Sequence, residues 1–184
     1  MTAPGNNPGY SRARQVAVAL SLWVLLALFI LVVIVLNVTH QVLRVDGPSM
    51  YPTIEIDDVA LITRDYREPG RGDIILLTRK HDDNSVALPS LIKRVIALPG
   101  DEVEVKSGLA FVNGRPEPDT YPKVLSPGDI SYPLTSLGEN EVFVLGDNRP
   151  VSLDSRVFGP VSLERVAGEV VAIVAPLNRI TIMN

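Results

Sequence analysis

From Val16 to Val38 the chain is apolar except at Ser21 and Asn37, with Trp23 inside the run. About 20 such residues are what an α-helix needs to cross the hydrocarbon core of a bilayer. In lipid a lone segment can satisfy its backbone only as a helix. A cleaved secretory leader would have an apolar core of roughly 7–15 residues, then small residues in an Ala-x-Ala arrangement. This run is longer, and Asn37-Val38-Thr39-His40-Gln41 offers no such site. An uncleaved anchor is expected. Arg12 and Arg14 precede it, and the short stretch after it carries only Arg44. The excess of positive charge before the span predicts a cytoplasmic N-terminus and an external remainder. The expected organisation is a cytoplasmic tail at 1–15, an anchor at 16–38 and an extracytoplasmic domain at 39–184.

Residues 1–11 are rich in Pro, Gly and Asn, a composition that disfavours order. Beyond the anchor the chain reads as mainly β. Short β-branched runs at Gln41–Val45, Asp58–Thr63, Asp73–Thr78, Leu91–Leu98, Glu102–Val105, Leu109–Val112, Glu141–Leu145 and Val166–Val174 are separated by turn residues. Asn113-Gly114 is a tight hairpin signal. The 15 prolines and 13 glycines argue against long helices in this part. Residues 115–140, Pro- and Ser-rich without periodicity, read as the core of a small loop-rich excursion spanning about 102–140.

Composition removes several chemistries. There is no cysteine, so disulfides, Cys-based zinc sites and a thiol nucleophile are excluded. Only His40 and His81 are present, without a His-Glu-x-x-His pattern, which argues against a zinc protease. Neither a metal nor a cofactor is expected. Two of the 17 basic residues precede the span, leaving 15 against 21 acids and a net charge near −6 outside it. No basic face emerges, so nucleic acid is not an expected partner.

Three segments carry candidate chemistry. Ser49 lies in Gly47-Pro48-Ser49-Met50-Tyr51-Pro52-Thr53, bracketed by residues that stiffen the backbone. A serine hydroxyl needs a base to become a nucleophile. In Leu91–Ala97, strand alternation puts Lys93 on one face with Leu91, Val95 and Ala97, and Ile92, Arg94 and Ile96 on the other. Burial among such neighbours lowers a lysine's pKa and makes the neutral amine a base. Taken alone, Gly-Pro-Ser is equally a plain turn, and Lys93 equally an edge-strand lysine reaching water. The third segment, Gly146–Arg156, offers Ser152 and Ser155 to orient an amine, and Asp147, Asp154, Arg149 and Arg156 to brace a loop. A triad using His81 is a weaker option, because Lys80–Asn84 reads as a solvated loop.

These segments, in this order, resemble the type I signal peptidases. The boxes are Ser49–Ile54, Gly72-Asp73-Ile74-Ile75, Lys93-Arg94-Val95 through Pro99-Gly100-Asp101, and Gly146–Arg156. The resemblance covers most of residues 12–175. It implies an antiparallel β catalytic domain and a membrane-bound endopeptidase that removes signal peptides from exported preproteins. It implies Ser49 as nucleophile, Lys93 as general base, and Ser152 holding the lysine amine by a hydrogen bond. Arg94, Asp147, Asp154 and Arg156 would support the site. Leu43, Val45, Met50, Ile54 and Ile92 would line shallow pockets for the −1 and −3 residues of an Ala-x-Ala site, the substrate adding as a strand. Gly47 departs from the pattern where some members carry a serine that donates to the oxyanion hole. Ala97 and Pro150 depart too, at a frequent glycine and a frequent polar residue. The implied partners are exported preproteins, the lipid bilayer and the secretion machinery. The implied location is the plasma membrane, single-pass, with the catalytic domain on the outer face. Ser49 is about 11 residues past the span, a reach of roughly 36 Å at most, which keeps the site near the outer surface. A self-cleaving Ser–Lys protease and an inactive tethered β module are the competing readings. The span counts against the first, and the presence of both Ser49 and Lys93 against the second.

Overall fold

The structure is a computed structural model, and it describes residues 8–66, 68–78 and 90–183. His81 and its loop therefore lie outside the described residues. Contacts divide the chain into two compact units, Met1–Thr39 and His40–Asn184.

The first unit is one helix, α1 (Pro8–Thr39). It begins earlier than the apolar pattern, so Pro8 to Ser11 are helical where composition disfavours order, and the helix runs through the rest of the expected tail. Proline is tolerated in a first helical turn, whose N–H groups lack partners anyway. The stretch Arg14–Thr39 is long and apolar enough to cross a membrane. Its few polar groups are satisfied within the helix: Ser21 Oγ donates to the Val18 carbonyl, and Asn37 Nδ2 and Thr39 Oγ1 donate to the carbonyls of Val33 and Val35. Such back-bonding lets polar side chains sit in an apolar segment without leaving a donor unsatisfied.

The second unit is built on antiparallel sheets. Its strands are β1 (His40–Arg44), β2 (Val59–Thr63), β3 (Ile74–Leu77), β4 (Leu91–Ala97), β5 (Glu102–Lys106), β6 (Leu109–Val112), β7 (Arg115–Pro116), β8 (Tyr132–Ser136), β9 (Glu141–Leu145), β10 (Val161–Ser162), β11 (Val166–Ala175) and β12 (Thr181–Ile182), with a one-turn helix α2 (Ser155–Phe158) before β10. The large sheet has the order β1-β2-β11-β3-β4-β9-β10, with β12 added to β11. The small sheet has the order β7-β6-β5-β8. The expected loop-rich excursion thus contains four strands. Of these, β8 falls in the Pro- and Ser-rich stretch that reads as loop, and it carries Pro133. It is tolerated because β8 is an edge of its sheet.

Core packing explains the placement of β4. This strand is buried from Ile92 to Ala97, on both faces. Ile92 packs with Val45, Met50, Ile54, Ile62 and Ile173. Val95 packs with Ile75 and Val144. Ile96 and Ala97 both join Val103, Val105 and Phe143 in the core between the two sheets. Strict alternation would separate Ile96 from Ala97. A register irregularity between Val95 and Ala97 against β9 removes that separation. Lys93 lies opposite Ile75 and Arg94 opposite Ile74. Lys93 and Arg94 therefore sit on a central, doubly covered strand, where their backbones are fixed.

Candidate active site

Four pieces of chain converge on Ser49. The turn at 48–54 is locked by Tyr51 N–H donating to the Pro48 carbonyl at 3.1 Å and Ile54 N–H to the Met50 carbonyl at 2.9 Å. Met50 and Ile54 are buried below it, which leaves Ser49 half-buried in a packed corner. From β4, Lys93 Nζ donates to Ser49 Oγ at 2.7 Å and to the carbonyl of Ile92 at 2.8 Å. Lys93 is only 1% exposed. Burial lowers its pKa from 10.5 to about 8, and the negative charges of Asp154 and Asp147 partly oppose that shift. When the amine is neutral the bond reverses: the hydroxyl donates to Nζ, which is the geometry of a base facing its proton.

The loop after β9 holds the turn from the other side. Asn148 N–H donates to the Ser49 carbonyl at 3.0 Å, and Asn148 Nδ2 to the Pro48 carbonyl at 3.2 Å. Gly146 packs so closely here that a Cβ would collide with Ser152 Oγ and the Ser49 carbonyl oxygen. Only glycine allows that approach.

Three buried ion pairs hold the loop in turn. Arg94 makes a two-pronged contact with Asp147, at 2.8 and 2.7 Å, and also donates to the Gly72 carbonyl. Thr53 Oγ1 donates to the same Asp147 carboxylate, which ties the Ser49 turn to the pair. Asp154 caps α2, accepts from Gly146 N–H at 3.1 Å and binds the Arg156 guanidinium at 2.8 and 2.9 Å. Arg149, fully buried, binds both Glu117 oxygens at 2.6 Å and also donates to the carbonyls of Gly146 and Gly108. Removing one partner of a buried pair strands a charge and costs about 3–5 kcal/mol. These pairs therefore fix geometry whatever they add to net stability.

Beside Ser49 and Lys93 runs a cleft of about 350 Å³. Leu43, Val45, Met50, Ile54 and Ile92 all line it, and Asp46, Gly47 and Ser90 border it. Its floor is apolar, and Ser49 and Lys93 also line it.

A family model described as signal peptidase, peptidase S26, matches residues 17–175. The chain belongs to this signal peptidase family. A signal peptidase I of Leptolyngbya laminosa is 34% identical over 142 residues, covering 74% of this chain and 69% of that protein. Signal peptidase I V of Bacillus subtilis is 33% identical, covering 68% of this chain and 80% of that protein. The crystal structure of a signal peptidase I from Enterococcus faecalis aligns with a TM-score of 0.45 at 29% identity, covering 58% of this chain and 99% of that one.

Within this signal peptidase frame, one implied contact needs correction. Ser152 Oγ makes no hydrogen bond to Lys93; it is buried and has no hydrogen-bond partner among the described residues. The amine turns instead to the Ile92 carbonyl. Ser155, the other serine of the loop, accepts from Val144 N–H at 3.0 Å and so fastens α2 to β9. Sequence reasoning also missed Glu117, Thr53 and Asn148. Glu117 is 32 positions from Arg149, and nothing local marks it as a partner. Asn148 was readable only as part of a polar turn.

Proposed function

We propose that Ser49 and Lys93 are the catalytic dyad of this signal peptidase, acting by acyl transfer. As a signal peptidase I the chain is a serine endopeptidase that removes signal peptides from preproteins. The observation that carries the dyad is the 2.7 Å contact between a half-buried hydroxyl and a buried amine. Neutral Lys93 takes the Ser49 proton as Oγ attacks the carbonyl carbon of the −1 residue. Charge builds on the carbonyl oxygen. The N–H of Ser49 makes no hydrogen bond among the described residues and is available to that oxygen. Lys93 then passes its proton to the departing amine, and the C–N bond breaks to leave an ester on Ser49. Water, deprotonated by the same amine, cleaves the ester to a carboxylate and restores the hydroxyl.

The apolar cleft supports a preference for small apolar residues at −1 and −3, the Ala-x-Ala pattern. Ser152 packs against Gly146 and holds the loop's shape beside the dyad. Arg94, Asp147, Asp154 and Arg156 support the site through their ion pairs. Arg12 and Arg14 before the apolar span, against Arg44 alone in the short stretch after it, favour a cytoplasmic N-terminus, with residues 39–184 on the outer face of the plasma membrane. There the enzyme would meet preproteins delivered by the secretion machinery. The test is processing of a preprotein with an Ala-x-Ala site by the full chain. Ser49→Ala and Lys93→Ala should each lower turnover by about 10³-fold or more. Near-normal turnover of Lys93→Ala would overturn the dyad.

A further inference from the structure

The substrate cleft has an unpaired charge on its rim. Val45 continues β1 along the sheet: its N–H donates to the Asp58 carbonyl, and its carbonyl accepts from Asp57 N–H, both at 2.8 Å. Both Val45 backbone groups therefore face inward, towards residues 57 and 58. The next residue, Asp46, must turn its N–H and C=O to the opposite, open edge. Neither group forms a backbone hydrogen bond among the described residues. The segment is thus a free sheet edge running into the nucleophile turn, with Ser90–Lys93 across the cleft.

Side chains alternate along this edge. Val45 is buried in the core and Leu43 packs against it, both on the cleft floor. Arg44 and Asp46 are exposed on the other face. Arg44 is ion-paired with Asp57 at 2.9 Å. Asp46 has no ion-pair or hydrogen-bond partner among the described residues. One side of the edge is therefore apolar, and the other carries a single uncompensated carboxylate three residues before Ser49.

We infer that Asp46 is a specificity-determining residue that favours preproteins with a cationic side chain at position −2. The inference rests on the peptidase reading above. A peptide strand laid on this edge with its −1 and −3 side chains on the cleft floor must point −2 to the opposite face. That is the face of Asp46, and −2 is the outward position nearest the nucleophile. Cross-strand neighbours on one face have Cβ atoms about 4.5–5.5 Å apart, close enough for opposite charges to attract and like charges to repel. Because the site is exposed, the discrimination is modest and falls with added salt.

The test measures kcat/KM for three peptides that differ only in Lys, Gln or Glu at −2, using the full chain in neutral detergent. Each rate is divided by that of the Gln peptide for the same variant. The wild type should prefer Lys over Glu by about two- to tenfold at low salt. Asp46→Asn should bring the ratio close to one, and Asp46→Lys should invert it. A wild-type ratio near one, or a preference that survives in Asp46→Asn, overturns the inference while leaving the peptidase reading intact. If the wild type cleaves none of the three peptides, the peptidase reading fails and the inference with it.

Discussion

Asn148 N–H donates to the Ser49 carbonyl at 3.0 Å, across 99 positions of sequence, and so makes the nucleophile turn and the loop after β9 one mechanical unit. The hydroxyl does not find Lys93 through local turn geometry alone. Its backbone is held from above by Asn148, from below by Met50 and Ile54, and from the side by Thr53 on Asp147.

The pH profile follows from the Lys93 environment. Only the neutral amine accepts the Ser49 proton, and its pKa is lowered to about 8 by burial. Activity should therefore be lost as pH falls through that value and gained as pH rises. Measured kcat/KM should show one acidic limb with a midpoint near 8. A midpoint near 10.5, the ordinary lysine value, would mean that the amine is not desolvated in solution.

The same burial should cost stability. Lys93 has a lower pKa folded than unfolded, so the unfolded chain binds more protons between about 8 and 10.5, and stability rises with pH across that window. Below it the charged amine sits fully penalised, by roughly 3 kcal/mol at most. Lys93→Met should be inactive yet more stable than the wild type at pH 7, by about 1–3 kcal/mol. The advantage should shrink as pH rises through the window. Denaturant titrations at pH 7 and pH 10 would reveal the convergence.

Gly146→Ala should damage the site. The added methyl meets Ser152 Oγ and the Ser49 carbonyl oxygen, and the second is backbone with little room to yield. Overpacking of this kind costs about 1–3 kcal/mol. Turnover should drop by about 10²-fold, because the shift falls on the nucleophile itself. Thermal unfolding and a peptide assay read the two effects separately.

Gly47→Ser addresses the missing oxyanion donor. A Cβ at Gly47 meets nothing within 4 Å, and the residue borders the cleft beside Ser49. The variant should fold normally and raise kcat by about tenfold, whereas Gly47→Ala should not raise it. The pair of variants, assayed side by side, separates a hydroxyl effect from a packing effect.

Much of this was legible in the sequence. The apolar run, the eight β-branched segments and the box order all rest on local pattern, and local pattern is what periodicity reports. Where pairing is remote the signal vanishes. Strand β7 is two residues long and exists only because β6 is its neighbour; β12 exists only beside β11. Arg149 was visible as a loop brace, but Glu117 was not, because their bond is made by folding and leaves no spacing rule. The Ser152 contact failed for a subtler reason. Which acceptor a buried ammonium chooses depends on ångström-scale placement, and the carbonyl of its own neighbour, Ile92, wins.

The Arg149–Glu117 lock sets a lower limit on how far this enzyme can be trimmed. Glu117 follows β7 of the small sheet, while Arg149 sits within the loop after β9 that steadies the Ser49 turn. A chain pared down to the large sheet would lose the Glu117 carboxylate and the Gly108 carbonyl together, and the Arg149 guanidinium would no longer be anchored there. The small sheet is thus the counterweight that keeps the loop beside Ser49 in shape.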